Sequence, residues 1–206
     1  MNQPVQSPAM PSVLNVGGGS RDIPIPPRYD GWQHVLLDID PWPGVDVVAD
    51  ARELLALPSA TYDAVYCAHN LEHYHYHEAG KVARGFHHVL REDGFAEIIV
   101  PDVLKVMRHV AAGGMDLDDA LYQSQVGPIR VRDVLWGYQA EIERSGNEFF
   151  AHKGGFSPKS LRDLLTRSGF EAVFTTEAPT FAVLAFAFKR PVSRERFEQI
   201  VTGKVP

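Results

Sequence analysis

The chain has 206 residues, a formal net charge of −6 and 45% hydrophobic residues, enough apolar material to bury one sizeable core. Mild acidity without any block of like charge argues against nucleic acid or another polyanion as the main partner. A single cysteine, Cys67, excludes an internal disulfide framework and fits a reduced, buried thiol. Neither a basic-then-apolar leader nor an apolar run of membrane-spanning length is present, so the expectation is a cytoplasmic chain without export or anchoring.

Residues 1–11 are polar and broken by prolines and are read as a loosely held lead-in. Ser12 to Val16 is a short apolar run that stops at Gly17-Gly18-Gly19, the pattern of a buried strand ending in a tight turn whose bare backbone can approach a ligand. Pro24, Pro26 and Pro27 then forbid a regular helix of any length. A second strand over His34–Asp40 ends in acids. Only Pro41 to Gly44 separates it from a short third strand over Val45–Asp50, too little for a parallel crossover helix, which needs about a dozen residues. The sheet is therefore expected to be trimmed on the strand 2/3 side.

Residues 52–61 read as an irregular helical turn and loop, and Tyr62 to Ala68 as a fourth strand. A histidine-rich segment, His69 to His77, follows. Val82, Phe86, Val89 and Leu90 share one helical face between Glu78 and Leu90. Glu92-Asp93-Gly94 is read as a turn before a fifth strand, Phe95 to Val100. This alternation predicts an α/β fold with a mainly parallel sheet covered by helices.

Residues 103–150 break the alternation. Val103, Val106, Met107, Val110 and Ala111 form one stripe stopped by Gly113-Gly114; Val131, Val134, Leu135, Tyr138 and Ile142 form another, ending near Gly146. The block is read as a helical insertion, or lid, at the carboxyl edge of the sheet, where insertions usually cover a site. Ser157 as N-cap, Pro158 at the first helical position and Gly169 as C-cap then frame a helix with Leu161, Leu164 and Leu165 inward. Two strands, Glu171–Thr176 and Thr180–Lys189, are close enough to pair antiparallel, and 191–206 is left as a tail.

Taken in order, these signals resemble the S-adenosylmethionine-dependent methyltransferases of the Rossmann-like class, in particular small methyltransferase-domain proteins with a Leu-Glu-His motif after strand four. The residues that carry the resemblance are Val13–Gly19, Leu37-Asp38-Ile39-Asp40, Asp50-Ala51, Tyr62-Asp63-Ala64-Val65 with Leu71-Glu72-His73, Val89–Gly94 and Ser168-Gly169-Phe170. They span about two-thirds of the chain, all but the insertion. The resemblance implies a single methyltransferase domain, S-adenosylmethionine as cofactor and methyl transfer to an oxygen or nitrogen of a small-molecule acceptor. It places the methionine end on the N–H groups of Gly17, Gly18 and Gly19. The ribose hydroxyls fall to Asp38, or to Asp40, which also reads as a turn-capping acid. The adenine falls to Asp50 and Ala51, with Asp50 equally readable as an N-cap.

A dinucleotide-binding enzyme is the competing reading, but it wants a third glycine and a helix N-terminus, where this chain has Asp22 and prolines. His69, at the end of strand four, is either a helix-entry histidine or a cofactor or acceptor contact and first candidate for general base; His73 and His152 are the next candidates. His69-x-x-Glu72-His73 also has the spacing of inverted zinc peptidases, which keeps a zinc hydrolase as a lesser alternative beside a cofactor-binding protein without turnover. The motif follows a buried strand rather than lying within a long helix, and no downstream glutamate ligand can be named, so the sequence assigns no metal ligands.

Overall fold

A computed structural model describes residues 10–124 and 127–203. Ser12–Val16 (β1) is buried at every position, which a strand achieves only with neighbours on both edges and layers on both faces. It lies between Gln33–Asp38 (β2) and Tyr62–Ala68 (β4), parallel to both. Val47–Val48 (β3) pairs parallel with β2 at the sheet edge, and Leu90–Pro101 (β5) continues the parallel set beyond β4. Ala172–Ala178 (β8) and Ala182–Phe188 (β9) complete a seven-stranded sheet of order β3-β2-β1-β4-β5-β9-β8, in which β9 runs antiparallel to both neighbours. This is the Rossmann-like sheet with an antiparallel C-terminal strand that the sequence predicts.

One face of the sheet carries the expected crossovers: a 3-10 turn over Ala51–Ala56, the helix Tyr76–Val89 (α1) and the helix Pro158–Arg167. Ser157 caps the last of these by accepting the Ser160 N–H, and its Leu161, Leu164 and Leu165 join Phe86 and Ile98 in the larger core. Each such fully buried apolar side chain contributes about 1.5–3 kcal/mol. Cys67 is free and buried in the same core, and burial pushes its thiol far above the ordinary value.

Among the described residues the opposite face has no crossover helix. Between β1 and β2 the proline-rich segment forms only the 3-10 turn Pro27–Tyr29, and Tyr29 packs with Phe95, Phe186, Phe188 and Ile200. Tyr29 Oη donates to buried Glu97 on β5 at 2.8 Å. Arg28 Nη1 donates to the carbonyl of Val201 at 2.7 Å. That carbonyl belongs to a helix, Arg194–Val201, within the segment read as a tail. Its apolar Phe197 and Ile200 are too few, and too close to the chain's polar surroundings, to register as a periodic stripe. Residues 1–9 of the expected lead-in, and 204–206, lie outside the described residues.

On the trimmed side, Asp46 replaces a helix. Its carboxylate accepts the Leu36 N–H at 2.7 Å and pairs with Arg21, which pins the short link between β2 and β3. The expected turn at Glu92-Asp93-Gly94 is instead an irregularity within β5: Tyr62 pairs with Leu90, and Ala64 with Phe95.

The insertion opens at Asp102 and closes at Phe156, which form a parallel bridge. It starts with the expected helix, Val103–Gly113 (α2), ended by Gly114 in the left-handed region at φ 62°. The expectation of an all-helical insertion is corrected by an antiparallel hairpin, Ala120–Ser124 (β6) with Gly127–Arg130 (β7). Strands this short offer too little alternation to be read from sequence. The second helical stripe is also two helices, Val131–Trp136 (α3) and Gln139–Ser145 (α4). Gly137, at φ 95°, breaks them, and Asp133 spans the break by accepting the N–H groups of Arg130 and Gln139. The helices Pro158–Arg167 and Arg194–Val201 are α5 and α6.

Candidate active site

The carboxyl ends of β1, β2 and β4 meet at the glycine loop. Gly17 has φ 69° and Gly19 φ 64°, a region that side-chain-bearing residues rarely enter. A Cβ at Gly17 would strike the Asn70 side chain, and one at Gly18 would strike Asn15 and Leu36. At Gly17 and Gly18 neighbouring groups leave no room for a side chain, whereas Gly19 is required by its backbone conformation. Asn70, unassigned by the sequence reading, lies directly over it, and its buried Oδ1 has no hydrogen-bond partner among the described residues. No local pattern marks Asn70; only its place after β4 does.

Two of the loop N–H groups are engaged within the fold itself. Gly17 N–H donates to Leu37 O at 2.8 Å and Gly19 N–H to Asp38 Oδ2 at 3.0 Å, because buried backbone donors must be paired. Asp38 Oδ1 accepts the Asp40 N–H at 3.1 Å, so this carboxylate ties loop and strand end together while each oxygen keeps a further lone pair. Asp50 is the N-cap of the turn after β3. It accepts the Arg52 N–H at 2.8 Å and pairs with the Arg52 guanidinium, so its carboxylate is engaged locally; Ala51 beside it is buried. Arg52 hydrogen bonds and backbone contact hold the Asp50 carboxyl below its ordinary value against the upward pull of burial.

The histidine-rich segment resolves into separate groups. His75 and His77 are exposed and stack on each other at the start of α1. His69 leaves β4 with φ 50°, its N–H on Ile99 O at 2.8 Å, and its ring half exposed with Nδ1 3.4 Å from Glu72 Oε1. Burial pulls the His69 ring down, but adjacent Glu72 outweighs it and leaves the pKa above the ordinary histidine value. Leu71–His73 is a 3-10 turn, so His69 and His73 do not share a helical face as a zinc-peptidase motif requires.

Glu72 is 1% exposed and His152 reaches it from the far end of the insertion. The His152 and His73 rings meet edge to face at 5.0 Å. His152 Nδ1 lies 2.9 Å from Val134 O, and His73 Nδ1 lies 3.2 Å from Ala151 O. Lys153 and Gly154 N–H groups both donate to Glu72 O, so the returning loop is fastened to the Leu-Glu-His turn. Burial raises the Glu72 carboxyl, but His69, His73 and His152 together hold it below its ordinary value. Burial lowers His152.

The expected residues thus collect at one edge of the sheet. A cavity of 140 Å³ opens beneath the hairpin, with His69, His152, Tyr122, Asp133 and Tyr138 among its lining residues. A smaller one of 60 Å³ lies toward β2, lined by Ile39, Asn70, His73 and Tyr74 among others. A 340 Å³ cleft beside Gly94 and Pro191 holds none of these residues. Among the described residues no helix is long and apolar enough to cross a membrane.

Sheet order, glycine loop and acid at the end of β2 define a Rossmann-like α/β fold of the methyltransferase kind. A family model described as a methyltransferase domain matches residues 4–174, and the chain belongs to that family. Among solved structures, it is similar to an S-adenosylmethionine-dependent methyltransferase from Archaeoglobus fulgidus: 15% identity, 87% of this chain and 86% of that one, TM-score 0.54. It is similar also to one from Methanosarcina mazei, with 16% identity, 87% and 92% coverage and TM-score 0.54. At these identities the likeness is one of fold. No curated protein matches the chain.

Proposed function

We propose that the chain uses S-adenosylmethionine to methylate an oxygen or nitrogen of a small-molecule acceptor. The observation that carries this reading is the glycine loop held beneath Asn70 at the mouth of β1, β2 and β4, with no room for a side chain at Gly17 or Gly18 and bordered by a buried acid. The residues present fit the cofactor. The unpartnered Asn70 Oδ1 suits the ammonium of the methionine end, over a loop whose Gly17 and Gly19 N–H groups are engaged within the fold. Asp38, with Asp40 as the alternative, has lone pairs for ribose hydroxyls, and Ala51 with Asp50 takes the adenine edge.

When bound, S-adenosylmethionine supplies a methyl group on an electrophilic sulfonium. The chain's own contribution is to bring the acceptor into line and exclude water, which accounts for most of the rate in such a transfer. The hairpin and α3 roof the 140 Å³ cavity, whose size suits a small acceptor. His69 lines that cavity and accepts the proton of an alcohol nucleophile, with Glu72 orienting its ring. His73 and His152 stand behind it as alternative bases. The acidic chain and covered cavity disfavour a nucleic-acid substrate.

Calorimetry with S-adenosylhomocysteine, followed by transfer from methyl-labelled S-adenosylmethionine into fractionated small-molecule extract, tests the proposal. His69→Ala is expected to lower kcat by about 10²–10⁴-fold with unchanged cofactor affinity. Full turnover in that variant would remove His69 from the mechanism. Cofactor binding without transfer to any fraction would point to a binding protein, and no binding would sink the reading altogether.

A further inference from the structure

We propose that Glu72, His73 and His152 form a binding site for one borderline first-row divalent cation, with zinc the reference ion. One ligand atom from each residue lies within 4.8 Å of the other two. Donors in a tetrahedral shell with bonds of about 2.0–2.2 Å stand roughly 3.3–3.6 Å apart, so rotamer adjustments of about an ångström close the shell.

The carboxylate supplies the stronger argument. Glu72 is 1% exposed, and among the described residues neither of its oxygens has a hydrogen-bond partner. The ring of half-exposed His69 comes within 3.4 Å, and that contact reaches only Oε1. A buried carboxylate without donors is costly, and a cation on Oε2 would offset that cost. The imidazoles are already oriented for the task. His152 Nδ1–H donates to Val134 O, which leaves Nε2 with its lone pair, the arrangement by which a metal-binding histidine is commonly held. His73 has a carbonyl 3.2 Å from each ring nitrogen, and a neutral ring can donate to only one of them.

Two imidazoles and one carboxylate select zinc, iron or cobalt over magnesium or calcium and leave coordination positions open. His152 lines the larger cavity and His73 the smaller, so the cluster borders both. A bound cation would also join the end of the insertion to the turn after β4. The sequence hid this set because its third member lies across the insertion, and because the evident pair, His69 and His73, is not the ligand pair.

The site shares Glu72, His73 and His152 with the proposed acceptor pocket, so it is tested by metal binding itself, without turnover. Chelator-stripped full-length protein is titrated with zinc by calorimetry and with cobalt by visible absorption. The expected result is one equivalent per chain, with cobalt bands of low coordination number, and affinity at least about 100-fold weaker in Glu72→Gln and in His152→Ala. The exposed pair is the control: His75→Gln with His77→Gln is expected to bind as wild type. Thermal melts and S-adenosylhomocysteine titrations establish that each variant is folded, and either ligand variant suffices if the other is not. No stoichiometric binding by wild type, undiminished binding in a folded ligand variant, or loss of binding in the exposed pair would each overturn the proposal.

Discussion

Glu72 and Glu97 are both 1% exposed carboxylates, yet the chain treats them oppositely. Histidines surround Glu72 and hold its pKa down, whereas burial outweighs Arg28 and Tyr29 at Glu97 and raises it. A folded carboxyl with a raised pKa binds its proton more tightly than the unfolded chain does. Its contribution to stability is therefore fullest below the unfolded value, about 4.3, and is lost as pH rises through the folded value. Denaturant titrations should show wild-type stability falling between about pH 4.3 and the folded pKa, with Glu97→Gln, which keeps an acceptor for Tyr29, falling less across that interval; parallel curves would refute the assignment. At this scale legibility follows sequence distance. Gly17, Asp38 and the Ser157 cap were readable because turn and cap chemistry is local, and Asp50 was readable both ways. Asn70 over Gly17, and His152 against Glu72, depend on tertiary placement that no local pattern encodes.

The insertion is the element whose character the sequence conveyed least. Its apolar stripes located α2 and the α3–α4 region correctly, because period-3.6 patterning survives without neighbours. The hairpin escaped because it packs chiefly on Val131, Val134 and Phe181, residues outside its own strands. Phe181 itself sits at the tip of the β8–β9 turn, with Thr180 and Phe181 at φ 58° and 57°, stacks on Tyr122 and meets the His109 ring at a tilt. The roof of the larger cavity therefore rests on the core sheet. Its weakest joint is Gly137, where a Cβ would run into Phe150 O and the backbone is already at positive φ. Gly137→Ala is expected to cost more than the roughly 1–3 kcal/mol of its backbone conformation alone, because Phe150 O must also move, and to lower kcat/KM roughly tenfold while cofactor affinity holds. An unchanged kcat/KM would mean that this break does not shape the acceptor site.

For the molecule as a whole, alternation of strand and helix made the sheet legible, and the prolines and the short link at 41–44 made its trimmed edge legible too. What remained hidden was how the uncovered face is closed, since α6 carries so few apolar residues. Ile200 is 1% exposed against the aromatic cluster of Phe95, Phe186 and Phe188. Ile200→Ala is expected to cost about 2–5 kcal/mol, which for a domain of this size lowers Tm by roughly 4–20 °C. A shift under 2 °C would show that α6 is not needed to seal that face. The sheet order carries a consequence for biosynthesis. β9 lies between β5 and β8, so the two pairings at that end of the sheet wait for a strand that leaves the ribosome after every other described strand, and the aromatic face stays open until α6 follows it. A nascent chain at that stage exposes both an unpaired strand edge and a greasy surface, which makes chaperone dependence during translation, rather than refolding after release, the step where slow synthesis or early termination would do the most damage.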